Sequence, residues 1–223
     1  MGITLFVFGL PGSGKSAAAR YIKSFAKQKK FYPRHFRDYP ILYKKFRDDQ
    51  KTTDQKKRFR STETLGYDSF DVIDFNVLYE ALQKLYEKIL RRKKLADDST
   101  ELLIIEFSRD DYCEALSFFP SFRLQDAYFL FIHSDILICQ ARIKARADHP
   151  RTLDDRYVSD YAFKMYYHRD HQQYINEVAL QLNQRFGVPM EHIQVINNGP
   201  EISVQQFYQA VESFASDLLK IKV

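Results

Sequence analysis

Apolar residues along the chain follow two rhythms. Short runs such as ITLFVF from Ile3, FDVIDF from Phe70, ELLIIEF from Glu101, DAYFLFIH from Asp126 and HIQVINN from His192 have the length and the β-branched or aromatic content of buried strands. Between them, apolar positions recur at three- and four-residue spacing. Ile22 and Phe25 follow Ala17, Ala18 and Ala19, Leu78, Leu82, Leu85 and Ile89 share one face, and Cys139 and Ile143 share another. A further helical stretch from Val158 to Phe186 ends at Gly187 with Pro189 beyond it, and SVQQFYQAVESFASDLLKI closes the chain as a helix. Five strands alternating with helices predict a three-layer α/β fold: an open five-stranded parallel sheet with helices on both faces.

One stretch breaks the rhythm. Residues 29–66 mix basic and aromatic side chains with Pro33 and Pro40 and show little periodicity. The pattern predicts an insertion over the ligand face of a single domain covering residues 1–223, partly helical around Ile41 to Phe46 and mobile around Lys51 to Lys57.

Between the first run and the first helix stands GLPGSGKS, Gly9 to Ser16, which fills every fixed position of GxxxxGK[ST]. Strand, glycine loop and helix follow in the order that builds an anion nest. Gly12 and Gly14 let the backbone curl so that the N–H groups of the loop, through Ser13 and on to Ala17 in the first helical turn, point inward. Lys15 is then the candidate cation for the β and γ phosphates of a nucleotide, and the Ser16 hydroxyl a candidate ligand for the magnesium that bridges them.

Other candidates lie where the remaining strands end. Glu106 closes a run of apolar residues, where a carboxylate can hold magnesium through water or orient an attacking group. Asp110 and Asp111 read as caps of the next helix. Arg142 and Arg146, four residues apart, share one helix face, with Arg151 and Arg156 beyond Pro150. Planar cations of this kind suit a migrating phosphoryl group; on their own they also fit a solvated helix face. His168 and His171 sit three apart with no further ligand, which reads as a surface pair.

Two cysteines, Cys113 and Cys139, have no metal-ligand spacing and read as reduced thiols in apolar surroundings, in a cytoplasmic protein. The opening run leads directly into the glycine loop, so it reads as a core strand rather than a signal peptide. No run is long enough to span a bilayer, so no membrane partner is expected. A net charge of +5 suits polyanionic partners, nucleotides and nucleic acids alike.

GLPGSGKS, the strand-end EFSR, the RIKAR helix with its RTLDD continuation and the final VINNGP together resemble the P-loop nucleoside and nucleotide kinases, the adenylate kinase-like enzymes included. The resemblance covers most of the chain but not residues 29–66. It implies a P-loop NTPase fold, use of ATP and Mg2+, and an arginine-bearing lid at residues 147–157. In that group the first arginine of the RIxxR helix packs on adenine and the later ones grip phosphates; Arg142 and Arg146 stand at those positions. The loop after the last strand, with Asn198, would help to enclose the base.

The expected activity is therefore ATP-dependent phosphotransfer to a small molecule, such as a nucleoside or nucleotide. For a hydroxyl acceptor, Asp74 or Glu106 would serve as base. For a phosphate acceptor, Arg109 with Arg34, Arg37, Arg58 or Arg60 would neutralise the second anion, and the wealth of arginine inclines the reading that way. The alternative is a nucleotide-dependent switch or nucleic-acid-associated ATPase that uses the basic segment as its partner surface. Oligomeric state is not legible.

Overall fold

Strand β1 (Ile3–Phe8) is the axis around which the other elements are arranged. In this computed structural model, residues 2–53, 56–93, 100–120, 123–150, 155–167 and 171–220 are described. From β1 the chain passes through the glycine loop into α1 (Lys15–Gln28), then β2 (Tyr32–Arg37) and α2 (Tyr39–Lys51). A small hairpin of β3 (Phe59–Ser61) and β4 (Phe70–Val72) precedes α3 (Asn76–Lys93). Next come β5 (Glu101–Glu106), the short α4 (Tyr112–Leu116), β6 (Tyr128–His133) and α5 (Ile136–Ala147). Helices α6 (Asp160–Met165) and α7 (His171–Phe186), strand β7 (Ile193–Asn197) and helix α8 (Val204–Lys220) complete it.

The main sheet has five strands in the order β2-β5-β1-β6-β7, and every pairing in it is parallel. Side chains alternate between its faces, as strand geometry requires. Leu5 and Val7 of β1, Ile104 of β5 and Leu130 of β6 pack with Ala18 and Ile22 of α1 and Val211 of α8. On the opposite face Phe6 and Phe8 join Ile105, Phe129 and Phe131 against Leu82 and Leu85 of α3 and Val178 and Leu182 of α7. Rings do much of the filling there: Phe6 stacks on Phe129 at 5.3 Å between centroids and Phe8 on Tyr112 at 4.3 Å. This is the predicted three-layer arrangement. Among the described residues no helix is long and apolar enough to cross a membrane.

Two strand assignments exchange places. FDVIDF does not enter the sheet; its Phe70–Val72 pairs antiparallel with Phe59–Ser61 in the separate hairpin. The second strand of the sheet is instead YPRHFR, inside the segment read as an insertion, and it pairs with β5 from Tyr32 opposite Glu101 to Arg37 opposite Glu106. Its polar pattern follows from its position at the sheet edge, where Phe36 is the one residue of six buried as a whole, the others keeping backbone or side-chain exposure, and Pro33 costs no pairing on the outer side.

The helix expected from Val158 to Phe186 is also interrupted. Tyr166 and Tyr167 leave the helical path after α6, and both rings are buried in a third cluster with Leu42, Phe59 and Leu78. At Phe186 the helix stops as expected, with Gly187 at φ 67 and its N–H donating to the Asn183 carbonyl. Cys113 and Cys139 are both free and buried.

Candidate active site

The glycine loop is shaped by what crowds it. Gly12 (φ 86) and Gly14 (φ 106) have left-handed backbones, and a Cβ on either would meet a neighbour, the Cys139 carbonyl oxygen at 2.4 Å or the Asn198 Nδ2 at 2.5 Å. The base of the loop is pinned from β5 and α4: the Gly9 N–H donates to the Tyr112 hydroxyl at 2.9 Å, and the Ser108 hydroxyl donates to the Gly9 carbonyl at 2.8 Å. Asn198 holds the crown, its side-chain amide donating to the Ser13 carbonyl at 2.7 Å while its own N–H donates to the His133 carbonyl at 2.8 Å.

Lys15 Nζ donates to the Leu10 carbonyl at 3.2 Å, so the ammonium lies back along the loop. Burial lowers the lysine pKa, partly offset by the charges of Glu106 and Asp38. The Ser16 hydroxyl donates to Glu106 Oε1, and His35 Nε2 donates to Glu106 Oε2 at 2.8 Å. Burial pushes the Glu106 carboxyl up, but the hydrogen bond from His35 and the charge of Lys15 more than offset it, holding the group below the usual carboxylate range. A hydroxyl beside an ionised carboxylate is an all-oxygen donor pair, which suits magnesium, and the glycine cradle beside it suits a phosphate chain.

These groups open on a cavity of ≈ 230 Å³. Lys15, Ser16 and Glu106 line it, as do Arg20, Arg146 and Arg156. Much of the remaining wall is aromatic: Tyr39 and Phe70, whose rings lie 6.0 Å apart and nearly parallel, with Phe75, Tyr157, Tyr166 and Tyr167. Asp38 and Arg109 also line it. Arg109 is almost wholly buried, with Nη1 2.6 Å from Asp38 Oδ2 and donating to the Ser108 carbonyl, and Nη2 donating to the Leu78 carbonyl at 2.7 Å.

The segment read as a lid is fastened to the β3–β4 hairpin. Arg156 donates to the Asp68 carbonyl and carboxylate at 2.6 and 2.7 Å, the Ser69 hydroxyl donates to the Tyr157 carbonyl at 2.7 Å, and the Tyr67 hydroxyl donates to Asp148 at 2.8 Å. The rings of Tyr67 and Tyr157 stack at 4.1 Å. Arg151 and part of RTLDD lie outside the described residues, as does His168.

The residues anticipated from sequence therefore divide. Gly12, Gly14, Lys15, Ser16, Ala17, Glu106, Arg109 and Arg146 line this same cavity. Ser13 is fully buried beneath the loop. Arg142 does not line the cavity; its guanidinium donates to the Asn198 carbonyl at 2.9 Å and the Ser134 hydroxyl at 3.2 Å, so Arg142 and Asn198 brace the loop from behind. Asp74 does not line it either, for its carboxylate accepts from Arg58 at 2.8 Å and from the Asn76 N–H at the start of α3. Of the four arginines anticipated from the basic segment, Arg34 pairs with Glu101, Arg58 with Asp74 and Glu80, and Arg60 with Asp71, and Arg37 lines the cavity. Asp111, as anticipated, caps α4 by accepting from the Glu114 N–H at 2.8 Å.

Sequence reasoning missed His35 and Asp38, because it missed the strand that carries the first and leads into the second. A signal was present: in RDYP, Pro40 stands in the first turn of a helix for which Asp38 supplies the first carbonyl, which would have ended a strand at Arg37.

No protein-family model matches the chain, and no curated protein does. Among solved structures, the Mycobacterium tuberculosis APS kinase CysC in complex with AMPPNP and APS is similar over 98% of this chain and 98% of that one, at 14% identity and a TM-score of 0.51. APE1195 is similar over 100% and 97%, at 12% identity and a TM-score of 0.50. At such identities the likeness is one of fold. The fold is that of the P-loop kinases.

Proposed function

We propose that this chain is an ATP- and magnesium-dependent kinase that phosphorylates a hydroxyl group of a small molecule, such as a nucleoside or a similar metabolite. One juxtaposition carries the reading: Lys15, Ser16 and Glu106 line the same cavity as a set of aromatic rings suited to a planar acceptor. The loop N–H groups bind the phosphates and Lys15 turns from the Leu10 carbonyl to the transferred phosphoryl. Ser16 and Glu106 would hold magnesium, which would supply charge neutralisation for the phosphate chain. Arg146 stabilises the charge that spreads over the migrating group.

Among the described residues, Asp38 and Glu106 are the carboxylates that line the cavity. Glu106 is committed with Ser16 to the metal and is held by His35, so the base is assigned to Asp38, whose carboxylate lines the cavity beside the Arg109 guanidinium with which it pairs. The acceptor oxygen bonds to the γ-phosphorus, the bond from that phosphorus to the bridging oxygen breaks, ADP leaves, and the hydroxyl proton passes to Asp38. The ion pair of Arg109 with Asp38 argues against a phosphate acceptor, since the guanidinium meant to neutralise a second phosphate already has a carboxylate. The pairing of Arg34, Arg58 and Arg60 with carboxylates likewise weighs against a nucleic-acid surface.

The test is a screen of matched nucleosides and monophosphates with labelled ATP, on wild type, Lys15→Ala and Asp38→Asn. Labelled product from a hydroxyl acceptor is expected, with turnover falling at least about a hundredfold in each variant. Turnover that needs RNA or DNA instead of a small acceptor would transfer the chain to the nucleic-acid-associated class.

A further inference from the structure

Glu106 is held from two sides, and the two holders differ in kind. Ser16 belongs to the phosphate loop, where its presence follows from the motif. His35 belongs to another strand and to no motif, yet its imidazole lies 2.8 Å from Glu106 Oε2, with the two side chains 8% and 6% exposed. In the register of the parallel pair, the residue beside Glu106 is Arg37, and His35 stands opposite Ile104. Residues two apart on a strand share a face, so His35 and Arg37 both project on the side of the sheet that carries Ile104, Glu106 and α1. The donor that reaches Oε2 is thus the one set back along the strand, while Arg37 lines the cavity.

We infer that His35 is a positioning residue for Glu106, fixing the plane of the carboxylate so that Oε1 stays beside the Ser16 hydroxyl and off Lys15. The inference rests on the reading of Ser16 and Glu106 as the magnesium-holding pair. An ionised carboxylate accepts hydrogen bonds only, so the Nε2 of His35 carries the proton in this contact. Imidazole is planar and has two side-chain torsions, so a buried ring gives a donor with little freedom to move. Without it, Oε2 would be a buried acceptor short of its donor, drawn by the Lys15 ammonium, whose charge Glu106 already feels. Glu106 would then swing to Lys15, removing a ligand from the metal and a cation from the phosphates together. His35 keeps those two charges on separate duties.

The test measures binding of a non-hydrolysable ATP analogue by calorimetry, with and without magnesium, in the full chain. His35→Leu removes the donor. His35→Asn is a second, polar replacement whose amide falls short of Oε2. His35→Gln extends its amide nitrogen to where Nε2 stood. Magnesium should tighten binding in wild type and in His35→Gln, while in His35→Leu and His35→Asn that gain should shrink by about tenfold or more. A merely structural histidine would change the melting temperature without changing the ratio of the two affinities. An undiminished magnesium gain in His35→Leu and His35→Asn, or an equal loss in His35→Gln, would overturn the inference while the role of Glu106 stands. Wild type that binds nucleotide with no magnesium gain would remove the role of Glu106, and the inference with it.

Discussion

Asp38 and Arg109 form a buried ion pair at 2.6 Å in the wall of the cavity, with side chains 9% and 2% exposed. Breaking such a pair from one side strands the other charge. Asp38→Asn should therefore destabilise the fold by about 3–5 kcal/mol, and the double replacement Asp38→Asn with Arg109→Met should recover most of that loss. Urea denaturation of the single and double variants measures it. Additive losses would show that the two charges are not coupled.

Gly12 and Gly187 both have positive φ but differ in their surroundings. A Cβ on Gly12 would stand 2.4 Å from the Cys139 carbonyl oxygen, whereas one on Gly187 would meet nothing within 4 Å. Gly187→Ala should cost about 1–2 kcal/mol from backbone strain alone and leave nucleotide binding unchanged. Gly12→Ala should cost more and also weaken ATP binding by tenfold or more, as ~1.4 kcal/mol lost at the loop would suffice to do. Paired calorimetry and thermal unfolding separate the two effects.

A carboxyl whose folded pKa lies below its unfolded value binds fewer protons in the native state. The contribution of Glu106, whose ordinary value is 4.5, is thus fully present above that pH and is lost as pH falls through the lower folded value. Urea midpoints measured from about pH 6 to pH 3 should decline less steeply in Glu106→Gln than in wild type. Equal slopes would mean that Glu106 is not held below its ordinary range.

Burial pushes the Cys139 thiol up to about 11, against the opposing charge of Lys15, and the side chain is inaccessible. Cys113 is buried as well. An aromatic disulfide reagent at about pH 8 should leave both thiols untouched in the native protein and titrate two on unfolding. A thiol that reacts in the native state would locate an opening of the core near α5 or α4.

How far the sequence could be read depended on what each residue packs against. β1, β5 and β6 lie inside the sheet with helices on both faces, so their residues had to be apolar and stood out as runs. The glycine loop was legible because its backbone needs glycine at Gly12 and Gly14, and because Lys15 and Ser16 complete the GxxxxGK[ST] pattern. β2 lies at an edge, where solvent tolerates Arg34 and Arg37, so its pattern looked like a loop. Losing that strand meant losing His35 and the Asp38 that follows it, and left Asp74 and Glu106 as the candidate bases, of which Asp74 is occupied with Arg58 and the start of α3. Arg142 shows a second limit. Helical spacing told correctly that it shares a face with Arg146, but not that the Asn198 carbonyl would take up its guanidinium.

The strand order also sets a timetable for synthesis. Ile3 pairs with Leu102 on one side of β1, and Leu5 pairs with Tyr128 on the other. Neither neighbour exists when β1 leaves the ribosome. At roughly 5–20 residues per second, an apolar strand with two open edges waits many seconds for its partners, a long exposure for a segment of this composition. The tether of Gly9 to Ser108 and Tyr112 arrives with the first partner strand, and that of Ser13 to Asn198 only after β7. The cavity beside the glycine loop is thus among the last parts of the nascent chain to take its final shape, and a ligand of that cavity can select only chains whose sheet is already complete.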